Sequence, residues 1–267
     1  KGVAVPGFVD GLGGLLVDPE EALALSGSDP SRTVLDALDF FQPAVKEAVK
    51  SGITACCVSA GPRSVLPCRG AVLRLNGETD LEKLALRGAD TVEACLWPEA
   101  SSFRRITPVR RRMPQRFSFF GLLLEFVEPA RYGTSGFDLL SGYEALRAAL
   151  ITAQNYRLRL RWYQQDLGAW EREIAKIKQE IEEAKKQGKP PPKKPLPPKP
   201  RKPAPDPESE ALLPVIEGKR PLYLWAESKE EIELALKLAK EFSLKLVLCA
   251  AYEAHLLARK LSLIHIS

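Results

Sequence analysis

The sequence predicts an α/β fold built on a parallel sheet, and three observations carry that prediction. Strand-like and helix-like segments alternate along most of the chain, as in successive βα units. Residues 54–59 (TACCVS) and 244–249 (LKLVLC) are near-continuous apolar runs, as expected of strands covered on both faces. The chain has 267 residues, 45% of them hydrophobic, which is enough for a sizeable core in one large domain or two small ones.

The elements follow in order. Residues 3–9 read as a short buried strand that ends in the Gly-rich turn Gly11-Leu12-Gly13-Gly14. Residues 31–51 predict a helix, because Leu35, Leu38, Phe41, Val45 and Val49 recur at threes and fours and Gly52 then stops it. Residues 54–59 form the second strand and residues 59–64 the loop after it; residues 71–75 and 91–96 are further strands. Residues 98–135 hold six arginines between 104 and 116 and the apolar block 117–127, without a clear period. From 136 to 188 one long helix, or two, carries a heptad stripe. Its members are Leu146, Ala149, Ala153, Tyr156, Leu160, Tyr163, Leu167, Trp170, Ile174, Ile177 and Ile181. That stripe fits a helix lying on its own domain, or a coiled-coil seam for a homo-oligomer or a paralogue through residues 146–181. Residues 189–207 are a Pro/Lys-rich linker, too poor in apolar side chains for a core, and predict a polyproline-II spacer. In 208–260 the alternation resumes as helix 208–217, strand 221–225, helix 229–242, strand 244–249 and helix 253–261.

Charge and cysteine content exclude several classes. The net charge is +5, concentrated in 104–116 and 185–202. Neither run interleaves basic residues with aromatic or base-reading partners on one predicted face, so nucleic-acid binding is not indicated. The five cysteines (Cys56, Cys57, Cys68, Cys95, Cys249) are odd in number and form no C-x-x-C pair. This argues against a disulfide framework or a zinc knuckle and fits a reduced, cytoplasmic setting. The chain begins at Lys1 without a methionine, so a native signal peptide would be missing and the compartment stays open. No stretch reaches the roughly 18 apolar residues of a membrane span. The tail 261–267 (LSLIHIS) resembles a reading frame of a sequencing-library adaptor, which would leave His255 as the one natural histidine.

Residues 5–10 (VPGFVD) resemble the first barrel strand of the amidohydrolase superfamily, P-G-[FIL]-[IV]-D-x-H-x-H. Residues 52–61 (GITACCVSAG) and 69–74 (RGAVLR) are similar to G-[VI]-T-x-[VA]-x-V-S-P-G…G-x-G-A-V-[IL]-[KR] of imidazolonepropionase-like members. Residues 143–156 resemble the helix L-R-x-A-L-x-x-A-x-x-Y. Residues 219–232 resemble K-x-P-V-x-V-H-x-H-x-x-x-D-I, and 242–250 resemble F-G-x-[RK]-L-V-L-E-H-G. These pieces stand in the family's order and cover most of the chain outside 98–135.

The resemblance implies a partial (β/α)8 TIM-type barrel of about the first six strands, with residues 1–135 as its N-terminal part and 208–260 as strands five and six. The helix 136–188 and the linker 189–207 are then an insertion. The family hydrolyses non-peptide C–N bonds with zinc-activated water. Carried over, its metal-binding histidines fall on Leu12, Gly14, Trp225, Glu227 and Ala250. Four of these five side chains offer no electron pair to a metal, so no cofactor is expected and the chain reads as a pseudoenzyme. The closing aspartate of the family would lie beyond the tail.

Two alternatives stand beside this reading. A metal-independent hydrolase would use Asp10 and Glu227, both at strand ends where a barrel carries its chemistry; each also reads as an ordinary cap or a solvated residue. A scaffold or partner subunit would pair with an active paralogue. Ser59, Arg63, Arg69, Tyr223, Trp225 and Tyr252 are candidates to line the pocket. Ser59 and Ser64 lack a G-x-S-x-G elbow, and His255 fits a helix surface. Leu12 and Trp225 are expected to pack over the cavity that holds metal in relatives.

Overall fold

The computed structural model describes residues 6–18, 28–39, 41–62, 64–76, 81–86, 88–97, 139–186 and 196–262. The α/β class holds, and the strands form two three-stranded sheets. The first contains β1 (Phe8–Gly13), β2 (Ile53–Val58) and β3 (Ala71–Arg74), in that order. The second contains β4 (Val92–Cys95), β5 (Leu222–Trp225) and β6 (Leu246–Cys249). β4, β5 and β6 pair in parallel throughout. β1 and β2 are also parallel, but β2 and β3 are antiparallel, which corrects the expectation of a uniformly parallel sheet. Apolar periodicity reports burial and says nothing of strand direction. The sheets meet where Gly70 and Thr91 exchange both backbone hydrogen bonds, each 3.1 Å.

The register of the second sheet decides what each face carries. Glu93 stands opposite Tyr223 and Tyr223 opposite Val247; Cys95, Trp225 and Cys249 form the next row. Side chains alternate faces along a strand. Val92, Ala94, Leu222, Leu224, Leu246 and Leu248 therefore share one face, and all six belong to the larger core cluster. Glu93, Cys95, Tyr223, Trp225, Val247 and Cys249 share the other face.

Helices cover the apolar face. α1 (Pro43–Lys50) and the short α2 (Leu81–Leu84) belong to the first half. The long α3 (Leu139–Lys186), α4 (Pro207–Ile216), α5 (Lys229–Phe242) and α6 (Ala258–Ser262) belong to the second. The predicted helix over 31–51 is two pieces, a 3₁₀ turn Val34–Ala37 and α1. The break lies before Pro43. A residue preceding proline is pushed out of the helical region, and Gln42 accordingly sits at φ −59°, ψ 131°. Phe41, counted in the predicted stripe, is exposed. The predicted buried first strand is also displaced: β1 begins at Phe8, and Phe8 and Val9 are both about two-thirds exposed on an outer edge.

Capping explains the sharp helix starts. Asp206 accepts from the Ser209 N–H at 3.2 Å, with Pro207 as the first helical residue of α4. Ser228 accepts from the Glu231 N–H at 3.3 Å, while Glu231 Oε2 accepts from the Glu227 N–H at 2.8 Å, a close relative of the capping box. α5 matches the predicted span 229–242 at both ends.

α3 is one unbroken helix of 48 residues, about 72 Å long at 1.5 Å per residue. Its first half is core: Tyr143, Leu146, Leu150, Ala153 and Tyr156 are buried. Gly142 lets it touch the end of β4, since a Cβ there would lie 1.9 Å from the Leu96 carbonyl oxygen. The Tyr156 hydroxyl donates to Glu210 of α4 at 2.6 Å, and Arg147 pairs with Glu241 of α5. Along its second half Tyr163, Leu167, Trp170, Ile174 and Ile181 are half-buried and Ile177 is buried. Part of the cover is the Pro-rich segment itself. Trp170 Nε1 donates to the Pro197 carbonyl at 2.8 Å, so residues 196–206 lie back along α3. Among the described residues no helix is long and apolar enough to cross a membrane.

Candidate functional site

The polar face of the second sheet converges on a residue not singled out from the sequence. Glu93, in the middle of β4, is 1% exposed. Ser59, just past the end of β2, donates from Oγ to Glu93 Oε2 at 2.5 Å. Trp225, the last residue of β5, donates from Nε1 to the same oxygen at 3.2 Å. Thr91 Oγ1 donates to Glu93 Oε1 at 3.3 Å. The Ser59 hydroxyl in turn accepts from the Gly61 N–H at 2.9 Å. Three donors from three chain segments thus point at one buried carboxyl, and no cation is paired with it among the described residues.

Burial pushes the Glu93 carboxyl above its ordinary range, and the hydrogen bonds from Ser59, Trp225 and Thr91 only partly offset that. A proton on Glu93 would be donated to the Thr91 or the Ser59 hydroxyl, each of which can accept as well as donate; the Trp225 N–H only donates. Ser59 is itself 4% exposed. A nucleophile needs a substrate within reach. The arrangement is therefore a buried polar plug around a carboxyl that holds its proton more tightly than an exposed one, with the Ser59 hydroxyl turned inward onto it.

The thiols around this plug are inert for the same reason. Cys57 is pushed up to about 11, chiefly by burial and then by the nearby Glu93; Cys68 reaches about 11 and Cys249 about 12 through the same two causes. Cys56 also reaches about 11, by burial and then by Asp10. All five cysteines are buried thiols outside any disulfide. Native protein at pH 8 is expected to react with an aromatic disulfide reagent at well under one thiol per chain within minutes. Unfolded protein should release five. Rapid reaction of one or more native thiols would contradict this environment.

The residues singled out from the sequence are dispersed. Trp225 faces Glu93. It is half-buried, as is Leu12 on β1, and it is held by its indole N–H. Tyr223 shares its face, and burial followed by Cys57, Cys249 and Glu93 raises its hydroxyl. Asp10 is half-buried and folds over Gly13, with Oδ2 2.9 Å from where a Cβ would stand. Gly14 is exposed. Glu227 is exposed just before α5, and its carbonyl accepts from the Glu253 N–H. No hydrogen bond joins Asp10 to Glu227 among the described residues. Ala250 ends β6 with a positive φ of 55°, a backbone position more usual for glycine.

Arg69, expected to line a pocket, ties the frame together instead. It donates to Asp90 at 2.8 Å and to the Ser31 carbonyl at 3.2 Å. Asp90 also pairs with Arg220. Burial alone would raise the Asp90 carboxyl; hydrogen bonds from Arg220 and Arg69 outweigh it and hold the group low. Tyr252, also expected to line the pocket, is 75% exposed. The His255 ring nitrogen Nδ1 lies 3.2 Å from the Tyr252 carbonyl at the surface. Arg63 lies outside the described residues.

No family model matches the chain, and no curated protein matches it. Among solved structures, the chain is similar to the crystal structure of an amidohydrolase from Thermotoga maritima MSB8. The TM-score is 0.62 at 17% sequence identity, covering 96% of this chain and 54% of that one. The fold is thus amidohydrolase-like, and the chain spans about half the length of that structure. Glu93 was missed because its strand reads as apolar on both faces. A single carboxylate inside the run TVEACL was the available signal: a charged residue in such a strand is buried with partners or marks a site.

Proposed function

We propose that this chain is a non-catalytic relative of the amidohydrolases. It would carry part of a (β/α)8 barrel of about six strands, interrupted by α3 and the Pro-rich segment. The observation that carries this reading is the Trp225–Glu93 hydrogen bond. In the carried-over pattern Trp225 occupies a histidine position. An indole N–H can donate a hydrogen bond and cannot give an electron pair to a metal, and here it is already committed to a carboxyl. Leu12, Gly14 and Ala250 have no donor atoms in their side chains. Glu227 alone could contribute one oxygen, and zinc takes three or four ligands. The donor set does not fit a zinc ion, so no step of a hydrolytic mechanism is derived through one.

What remains is a scaffold whose site is closed by its own side chains, suited to act as a homo-oligomer or beside an active paralogue. Hydrolysis by Asp10 and Glu227 without metal has no contact in its favour. The test is elemental analysis of the protein purified without chelator, together with an assay on cyclic amides. The expected result is no stoichiometric metal and no turnover above buffer. About one zinc per chain, lost in Glu227→Gln, would overturn the proposal. So would turnover that disappears in Asp10→Asn.

A further inference from the structure

Burial along the Pro-rich segment repeats every third residue. Pro197, Pro200, Pro203 and Asp206 are half-buried, while the residues between them are exposed. Three residues per turn is the period of a polyproline-II helix, so one ridge of that helix lies on α3 and two ridges face outward. The outward ridges carry Lys199, Arg201 and Lys202. Opposite them, α3 presents Arg159, which is exposed, and Trp162, which is 59% exposed. Between segment and helix lies an open cleft of about 380 Å³, lined in part by Arg159, Trp162, Tyr163, Asp166, Pro200 and Arg201.

Among the described residues none of Arg159, Lys199, Arg201 and Lys202 is in an ion pair. Arg159 rests over Tyr156, 5.6 Å from the ring centre, and Lys199 over Trp170 at 5.9 Å. A basic rim around a large exposed aromatic, beside a proline wall, has the composition of a recognition surface, where Trp, Tyr and Arg dominate the binding energy.

The geometry points to a docking site for a short acidic polypeptide segment on the face formed by α3 and residues 196–204. Charge complementarity selects the class: the four cations Arg159, Lys199, Arg201 and Lys202 attract carboxylates and steer their approach. Patch length selects a short segment. The strip is bounded along α3 by Asp166, Glu171 and Glu173 and at the head of α4 by Asp206, Glu208 and Glu210, so it covers only about two helical turns. A nucleic-acid strand, with a phosphate at each nucleotide, would run into these acids at either end. A peptide brings backbone N–H donors that Asp166 can accept, and one apolar side chain for the Trp162–Pro200 cleft. The inference is independent of the chemistry at Glu93.

The test uses the full chain and a fluorescein-labelled peptide of three glutamates and one phenylalanine, short enough for the two-turn strip, followed by anisotropy. The expected result is saturable one-to-one binding that weakens about tenfold or more between 50 and 300 mM salt, as screening shortens the reach of exposed charges. Trp162→Ala and Arg201→Glu should each weaken binding about tenfold at low salt, and the lysine version of the peptide should not bind. Both side chains are exposed, so the variants should melt with the parent. Trp162→Gln gives a second reading of the same contact. Absence of saturable binding overturns the proposal, as does binding unchanged in both variants. A single-stranded oligonucleotide that binds more tightly than the peptide, with loss in the same variants, overturns it in favour of a nucleic-acid surface.

Discussion

Gly70→Ala is expected to destabilise the protein by about 3 kcal/mol, the upper end of what overpacking a filled core costs. A Cβ on Gly70 would lie 2.3 Å from Thr91 Oγ1, 2.6 Å from Glu93 Oε1 and 2.7 Å from the Val58 carbonyl oxygen. The last of these is backbone and cannot swing away. The first two belong to the buried hydrogen-bond cluster, so relief of the clash must open either the Glu93 contacts or the Gly70–Thr91 bridge that joins the sheets. Equilibrium urea unfolding measures the effect. A loss below about 1 kcal/mol would mean that the two sheets slide past each other at this bridge at little cost.

The second large effect belongs to Glu93. Burial raises its carboxyl in the folded state, so the folded protein holds the proton more tightly than the unfolded chain does. Its contribution to stability is therefore complete below the ordinary glutamate range and is lost as pH rises through the raised folded-state value. The parent protein should lose stability through this group as pH rises above the ordinary glutamate range. Glu93→Gln is neutral at every pH, keeps an oxygen for Ser59 and Trp225, and offers an N–H to Thr91. It should lack that loss and exceed the parent in stability at pH 8. Glu93→Leu leaves the Ser59, Trp225 and Thr91 donors without their acceptor. At about 1–3 kcal/mol for each unsatisfied buried group, it should cost roughly 3 kcal/mol or more at any pH. Thermal melts from pH 4 to 8 decide the matter, and Glu93→Gln tracking the parent across the range would sink the argument.

Local signals in the sequence were legible where local physics decides the structure. α5 was readable at both ends because Ser228 and Glu231 cap it, and β2 because a run of small and branched apolar residues leaves few alternatives. The helix over 31–51 was overextended because its apolar spacing continues across Gln42, where the constraint imposed by Pro43 overrides periodicity. β3 was found, but its antiparallel direction depends on a tertiary pairing with β2 that periodicity does not encode. At the site, the family pattern led to Trp225, which does face the buried polar cluster. Its partner Glu93 was not legible, because the value of a lone carboxylate depends on Ser59, which arrives from the end of β2. Arg69 and Tyr252 show the opposite error: residues adjacent in sequence to strand ends were read as lining a cavity, yet one braces the frame and the other faces solvent.

The pairing of β4 with β5 also bears on how the chain folds. Val92 lies opposite Leu222, so 130 positions separate two residues in one ladder row. Closing so long a loop is entropically costly, and the cost grows with the logarithm of loop length. The return of residues 196–206 along α3, followed by the packing of α4 on its first half, shortens the distance to be closed: the helical hairpin can form from contacts between neighbours in space before β4 is in place. β5, α5 and β6 are joined by short connections and can assemble on it. β4 is then expected to dock late, carrying Glu93 into contacts already prepared by Trp225. Pulsed hydrogen exchange during refolding would register this as protection of the Ala94 amide lagging behind that of α5, and simultaneous protection would contradict it. A kinetic bottleneck would then coincide with the burial of a carboxyl, so that acidity could set the speed of folding as well as its equilibrium.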